Sequence, residues 1–223
     1  MRTTRREMLG VSLGIAVTSS LRAQPASSAP PIQLPKPQTE GGKPLMQALM
    51  QRKSTRAFDG RKLPEPVLSS LLWAAWGMNR PDGKRTAPSA MNKQEIDVYV
   101  LLEQGAYVYE AKEHALRPVA AGDLRAQAGS QDFVKTAPLN LVYVVDLTKA
   151  GGNNEQDKVL YYGTATGCIA QNVYLYCASE GLVTVVRAYV DKAALAPSLG
   201  LKPEQRIVLA QTVGYPAGTP SVS

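Results

Sequence analysis

Apolar residues along the chain fall into helical and strand-like runs that alternate unevenly, and their order predicts one α+β domain. Leu45, Met46, Leu49 and Met50 recur at helical spacing behind Pro44, a residue suited to the first helical position. That helix delivers Arg52 at its end. Leu63-Pro64-Glu65-Pro66 opens a second helix through Leu68, Leu71, Leu72, Ala75 and Trp76, closed by Gly77. A polar loop over 84–94 leads into a strand at 96–102, and 107–110 with 115–119 read as a meander around the turn at 112–114. Residues 123–131 read as helix and 133–137 as a further turn. The run 139–145 is continuously apolar and branched, as in a central strand covered on both faces. Residues 155–180 carry Tyr162, Ala165, Ile169, Val173, Tyr176 and Cys177 on one broad stripe, which predicts a long packing helix ended by Gly181. A strand at 182–190, a short helix at 192–199 and a last strand at 207–214 complete the order. There is no repeat, and no Gly-rich dinucleotide fingerprint follows the first strand, which argues against a Rossmann dehydrogenase.

The ends read differently. Residues 1–23 join a basic start (Arg5-Arg6) to a short apolar run and a small-residue cleavage site, the make-up of a signal peptide too short and broken to span a bilayer. The adjacent arginines resemble a twin-arginine signal, which implies export, to a periplasm for example, of an already folded protein. Residues 24–43 are rich in proline and predict an extended linker, 44–217 the folded domain, and 218–223 a tail.

Charge and composition narrow the chemistry. Of the formal +7, Arg2, Arg5, Arg6 and Arg22 against Glu7 account for +3, leaving +4 for the remainder. That surplus suits anionic ligands, but no basic stripe or recognised motif makes a case for nucleic acid. The single histidine, His114, lies among polar neighbours and reads as a surface residue; with two cysteines it cannot build a zinc-type cluster, and no metal is expected. Cys168 and Cys177 are nine residues apart in one helix, about 13 Å along its axis and on opposite faces, so they cannot pair and read as buried, inert thiols.

The stretch Arg52-Lys53-Ser54-Thr55-Arg56-Ala57-Phe58 carries the most specific chemistry. In an extended segment Arg52, Ser54 and Arg56 share one side and can converge on one anion, a phosphate first among them. The same residues also suit a basic, solvated turn.

These residues resemble the Arg-x-Ser-x-Arg/Lys-x-Phe opening of the nitroreductase family. Pro88-Ser89-Ala90-Met91-Asn92-Lys93-Gln94 is similar to that family's Pro-Ser-x-x-Asn-x-Gln loop, the stretch from Gly167 to Gly181-Leu182 to its central helix, and Gly214-Tyr215-Pro216 to its final Gly-x-Pro. Lys84-Arg85-Thr86-Ala87-Pro88-Ser89 further resembles the subgroup of thiazoline and oxazoline dehydrogenases.

The resemblance implies an FMN-dependent oxidoreductase in a three-layer sandwich, with a mostly antiparallel sheet flanked by helices, assembled as a homodimer with flavins at the subunit interface. Arg52, Ser54 and Arg56 would hold the phosphate, ribityl chain and pyrimidine edge, with Lys53 among the cofactor-binding residues. Pro88, Ser89, Ala90 and Asn92 would line the ring from the partner subunit, Ala188 and Tyr189 would bring backbone amides to N5, and Gln131 would meet the ribityl chain. Hydride passes through N5, so no protein nucleophile is required, and Arg85 or Arg187 would stabilise charge on the reduced ring. The family's basic residue beyond Gly-x-Pro has no counterpart in residues 217–223, so either Arg52 and Arg56 suffice, or a cation such as Arg187 or Arg206 substitutes, or FMN binds weakly. The substrate is a small organic molecule and the donor is open, with NAD(P)H available only in a cytoplasmic setting. A flavin-binding accessory protein without turnover, or an oxidase or dehydrogenase of a peptide or heterocycle, are the alternative readings.

Overall fold

The computed structural model describes residues 29–218, and the expected signal peptide lies outside them. Eight strands form one antiparallel sheet: β1 (Ile32–Gln33), β2 (Phe58–Asp59), β3 (Ile96–Leu102), β4 (Gly105–Glu110), β5 (Ala115–Ala121), β6 (Leu139–Asp146), β7 (Val183–Arg187) and β8 (Gln205–Pro216). Their spatial order is β1-β5-β4-β3-β6-β8-β2, with β7 running along residues 210–214 of β8. Helices α1 (Leu45–Gln51), α2 (Glu65–Trp76), α3 (Asp132–Thr136), α4 (Glu155–Glu180) and α5 (Lys192–Ser198) complete the domain, with short 3-10 turns at Ala90–Asn92 and Arg125–Ala128.

Strand alternation explains why the sheet has two buried faces. Val98 and Val100 of β3 and Leu139, Leu141 and Tyr143 of β6 face α2 and α4 in a core with Leu71, Leu72, Trp76, Ile169 and Val173. The intervening Tyr99, Leu101, Val142 and Val144 face the other way, against Val134, Leu195, Leu199 and Ile207 of the shorter helices and β8. β6 is therefore apolar at every buried position but Asn140, and its first seven residues are buried. The α+β three-layer sandwich expected from the sequence is the fold observed.

α4 begins where the Asn154 side chain accepts the Asp157 N–H and ends where Gly181 turns left-handed at φ 73°. Its 26 residues span about 39 Å, and both ends of that length matter to the site. Some expectations shift. β7 stops at Arg187 rather than Val190: its last pair is Arg187 with Ala210, after which the chain turns, Val190 N–H donating to Ala188 O, into the Asp191 cap of α5. Residues 123–131 form a short 3-10 turn rather than a helix, and α3 follows it. Part of the proline-rich stretch read as linker lies on the domain: β1 pairs with β5, Leu34 is buried, and Gln38 N–H donates to Ser70 Oγ.

Candidate functional site

The basic stretch leaves α1 at Arg52 and runs extended beside β7, with Ser54 bridged to Thr184 and Thr55 N–H donating to Thr184 O at 3.0 Å. Tyr174, from the C-terminal half of α4, organises it. Its Oη accepts the Val186 N–H at 3.0 Å and shares a 2.7 Å hydrogen bond with Ser54 Oγ, while the Arg52 guanidinium lies 5.3 Å from the centre of its ring. Arg52 and Ser54 are thus brought together on one tyrosine, with Lys53 and Arg56 exposed beside them. Among the described residues, none of the Arg52, Lys53 and Arg56 side chains has an ion pair or hydrogen bond. A hydroxyl beside one such cation, with two more within two residues of it along the chain, is a cationic cradle that could meet a multiply charged anion. An adjoining cleft of ≈ 470 Å³ is lined by Lys43, Lys53, Tyr174, Gly181, Thr184 and Pro216 among others.

The loop 84–94 lies elsewhere. Arg85 stacks on Trp76 at the end of α2, 4.7 Å from the ring centre, and donates to Trp76 O and Gln94 Oε1. Burial lowers its pKa, with Tyr109 opposing. Ser89 Oγ accepts the Gln94 N–H, and Ala90 and Asn92 belong to the 3-10 turn behind Pro88. Met91 and Tyr161 of α4 close on Gly151 together, so this loop sits by the N-terminal half of α4. Tyr161 and Tyr174 are thirteen residues apart in the helix, about 20 Å along the axis. The loop tip at Met91 thus stands far along α4 from the residues around Tyr174, while Thr86 at the start of the loop lines a cleft with Asn172 and Tyr176.

Large apolar side chains stand exposed on three neighbouring elements: Leu45, Met46, Leu49 and Met50 on α1, Met91 in the loop, and Val159 and Leu160 on α4. The four on α1 recur at helical spacing, so that short helix presents an uncovered apolar face.

Beyond β7, Ala188 and the 72% exposed Tyr189 carry their backbone to the surface, and Gly129 packs against Tyr189 O. The segment before Gln131 and the turn after β7 therefore touch, as a shared ligand would require.

Arg187 is the main correction. It is not a surface cation: it is 5% exposed, with Nε and Nη2 on Thr212 Oγ1, Nη2 also on Asn140 Oδ1 and Nη1 on Ala128 O. Its acceptors are all neutral, and burial lowers its pKa to about 10. It ties 128–131 to the sheet and offers no face to a ring lying outside. Arg206 is excluded as the missing phosphate cation, since it stands at the opposite end of β8 from Gly214, roughly 26 Å away. Near Pro216, Arg61 is engaged by Asp59 at 2.9 Å. Lys43, read as linker, instead reaches the cradle cleft and bonds only neutral acceptors, Gln51 Oε1 and Ala178 O.

His114 is not a solvated surface residue. Its Nδ1 lies 2.9 Å from Tyr109 Oη, and its Nε2 lies 2.7 Å from Ser69 Oγ and 3.1 Å from Pro35 O, so it pins residues 34–38 to α2 and β4. Burial lowers its pKa, with the Pro35 carbonyl opposing. Cys177 is buried and its thiol pKa is raised by burial, whereas Cys168 is only half-buried. Both are free, and no cluster of three or more candidate metal ligands exists among the described residues. No helix among the described residues is long and apolar enough to cross a membrane.

One residue that organises the site escaped sequence reasoning: Tyr174 is indistinguishable in the α4 stripe from a core aromatic, and the only available signal was its place three residues after Gln171. Gln94 was visible as the last residue of the loop motif, but without a role assigned to it.

An antiparallel α+β sandwich with a cationic cradle on one end of its long helix and a polar loop on the other has close counterparts. The Nitroreductase family model matches residues 49–215. A protein of Methanocaldococcus jannaschii described as a nitroreductase is 30% identical over 158 residues, covering 66% of this chain and 80% of its own. A Ralstonia eutropha JMP134 crystal structure, also described as a nitroreductase, is 43% identical with a TM-score of 0.81, covering 90% of this chain and 97% of that one. A Desulfovibrio desulfuricans nitroreductase-type structure in complex with FMN shares the fold at 21% identity and a TM-score of 0.58, covering 82% and 92%. The chain belongs to the nitroreductase family, and its role is that of an oxidoreductase.

Proposed function

We propose that the protein is an FMN-dependent oxidoreductase that works as a homodimer, each cofactor held by the cradle of one subunit and the loop of the other. The observation that carries this reading is that the loop tip at Met91 stands beside Tyr161, about 20 Å along α4 from the Tyr174 that seats Ser54, with exposed apolar side chains on α1, the loop tip and α4. A second copy supplies its loop to the cradle and covers those side chains.

The residues present fit the cofactor. Arg52, Lys53 and Arg56 have charge to spare for a phosphate monoester, and Ser54 adds a donor held in place by Tyr174. Pro88, Ser89, Ala90 and Asn92 would line the ring, and the exposed backbone at Ala188 and Tyr189 would supply donors to its edge. When bound, FMN supplies hydride transfer to or from a small organic substrate. The chain's own part is to bind, orient and exclude water: no histidine or thiol is placed for covalent chemistry, since Cys177 is buried and His114 is committed to packing.

The finer readings rest on the sequence. The twin-arginine-like start supports export, in which case the donor is something other than cytoplasmic NAD(P)H. The loop from Lys84 to Ser89 supports an azoline-dehydrogenase-like subgroup.

The test is FMN titration followed by flavin fluorescence. Arg52→Ala loses charge-assisted bonds and is expected to bind roughly 10- to 100-fold more weakly with its fold intact. A variant that binds FMN as tightly as the parent would overturn the phosphate role.

A further inference from the structure

Among the described residues, only four non-glycine positions hold left-handed backbone, and three of them lie within the loop: Met91, Asn92 and Gln94 at φ 51°, 52° and 49°. Side chains with a Cβ adopt that conformation reluctantly, so something must hold it. Gln94 supplies the ties. Its N–H donates to Ser89 Oγ at 3.0 Å, its Nε2 donates to Gly83 O and to Asn92 Oδ1, each at 3.0 Å, and its Oε1 accepts from Arg85 Nε at 2.7 Å. Arg85 is fixed in turn by the Trp76 carbonyl at 2.9 Å and the Trp76 ring, and no carboxylate pairs with it among the described residues.

A guanidinium only donates. Gln94 must therefore turn its oxygen to Arg85 and its amide nitrogen to Gly83 and Asn92. Asn92 must in turn accept through Oδ1, which leaves both of its own N–H groups facing outward. The polarity of an exposed amide is thus set two bonds away, by a charge that does not titrate near neutrality.

We propose that Arg85, Gln94 and Asn92 form a polarity relay that presents Asn92 as a hydrogen-bond donor to an acceptor edge of the flavin, with Arg85 and Gln94 as positioning residues that never touch the ring. The inference rests on the FMN reading above. It also gives Arg85 a role different from direct charge stabilisation, since its guanidinium is spent on Gln94 and Trp76.

Gln94→Glu tests it. Glutamate keeps the shape and the Arg85 partner but loses the amide nitrogen, so a carboxylate oxygen faces Asn92, which must turn its nitrogen inward and its oxygen outward. FMN affinity is expected to fall at least about tenfold with an altered visible circular dichroism of bound flavin, while melting temperature and dimer content hold. In an Asn92→Ala background the same change is expected to have no further effect, because the relay has lost its end. Arg85→Lys, which still only donates, retains affinity within about threefold, and Arg85→Gln, which can offer an oxygen, does not. Wild-type affinity and dichroism in Gln94→Glu, or a loss that adds in full to that of Asn92→Ala, would overturn the relay alone. A parent protein that takes up no FMN would overturn the cofactor reading and the relay with it.

Discussion

Tyr174→Phe removes one oxygen atom and examines how the cradle is built. That oxygen serves two partners, Val186 N–H at 3.0 Å and Ser54 Oγ at 2.7 Å, while the ring 5.3 Å from the Arg52 guanidinium stays in place. Losing the Ser54 bond costs about 1 kcal/mol, since Ser54 is solvent-facing and water replaces the partner. Losing the Val186 bond leaves a part-buried backbone donor without an acceptor and costs about 1–2 kcal/mol more. The sum, about 2–3 kcal/mol, corresponds to a fall in Tm of roughly 4–12 °C for a chain of this length. Ser54 is also released to rotate, so FMN affinity is expected to drop about three- to tenfold, less than for Arg52→Ala. Thermal unfolding by circular dichroism and a flavin titration measure the two effects separately. A Tm within about 1 °C of the parent would refute the bridging hydroxyl, and a full stability loss without any change in FMN binding would detach Ser54 from the cofactor.

Two further outcomes follow from groups outside the cradle. His114 is neutral in the folded chain because burial lowers its pKa, whereas the unfolded chain takes up its proton below about pH 6.5. The unfolded state then binds more protons than the folded one, so this contribution is intact above about pH 6.5 and is lost as pH falls through it. Tm measured from pH 7.5 to 5 should decline more steeply in the parent than in His114→Gln, and equal slopes would contradict the buried-imidazole account. Thiol titration with a coloured disulfide reagent should find Cys177 silent in the native protein and reactive after unfolding, with Cys168 alone reacting slowly beforehand; rapid native reaction of both would contradict the burial of Cys177.

Of the other cations weighed for the anion, Arg206 is at the far end of β8 and Arg187 is folded inward, so the positive charge left without a counter-ion on the basic stretch is that of Arg52, Lys53 and Arg56, with Lys43 adding to the neighbouring cleft. Lys43 reaches that cleft only because residues 29–43 are laid along the domain. Its position in the chain, within a proline-rich stretch, gave no hint of a site residue.

Local periodicity was enough to read most elements. The α4 bounds follow from an apolar stripe with Asn154 before it and Gly181 after it, and β6 from an apolar run broken only by Asn140, because capping, helix period and two-sided burial are written into neighbouring residues. The fold class and the basic Arg52-to-Arg56 stretch were legible for the same reason. Where β7 ends was not: Val190 suits a strand as well as Val186 does, yet the chain leaves the sheet after Arg187 and turns at residues 188–190 into α5. Nor could spacing tell an exposed arginine from the buried Arg187, a surface histidine from the packed His114, or a core tyrosine from the one that seats Ser54. Those distinctions depend on which distant acceptors the folded chain brings within hydrogen-bond reach, and only the tertiary structure sets those distances.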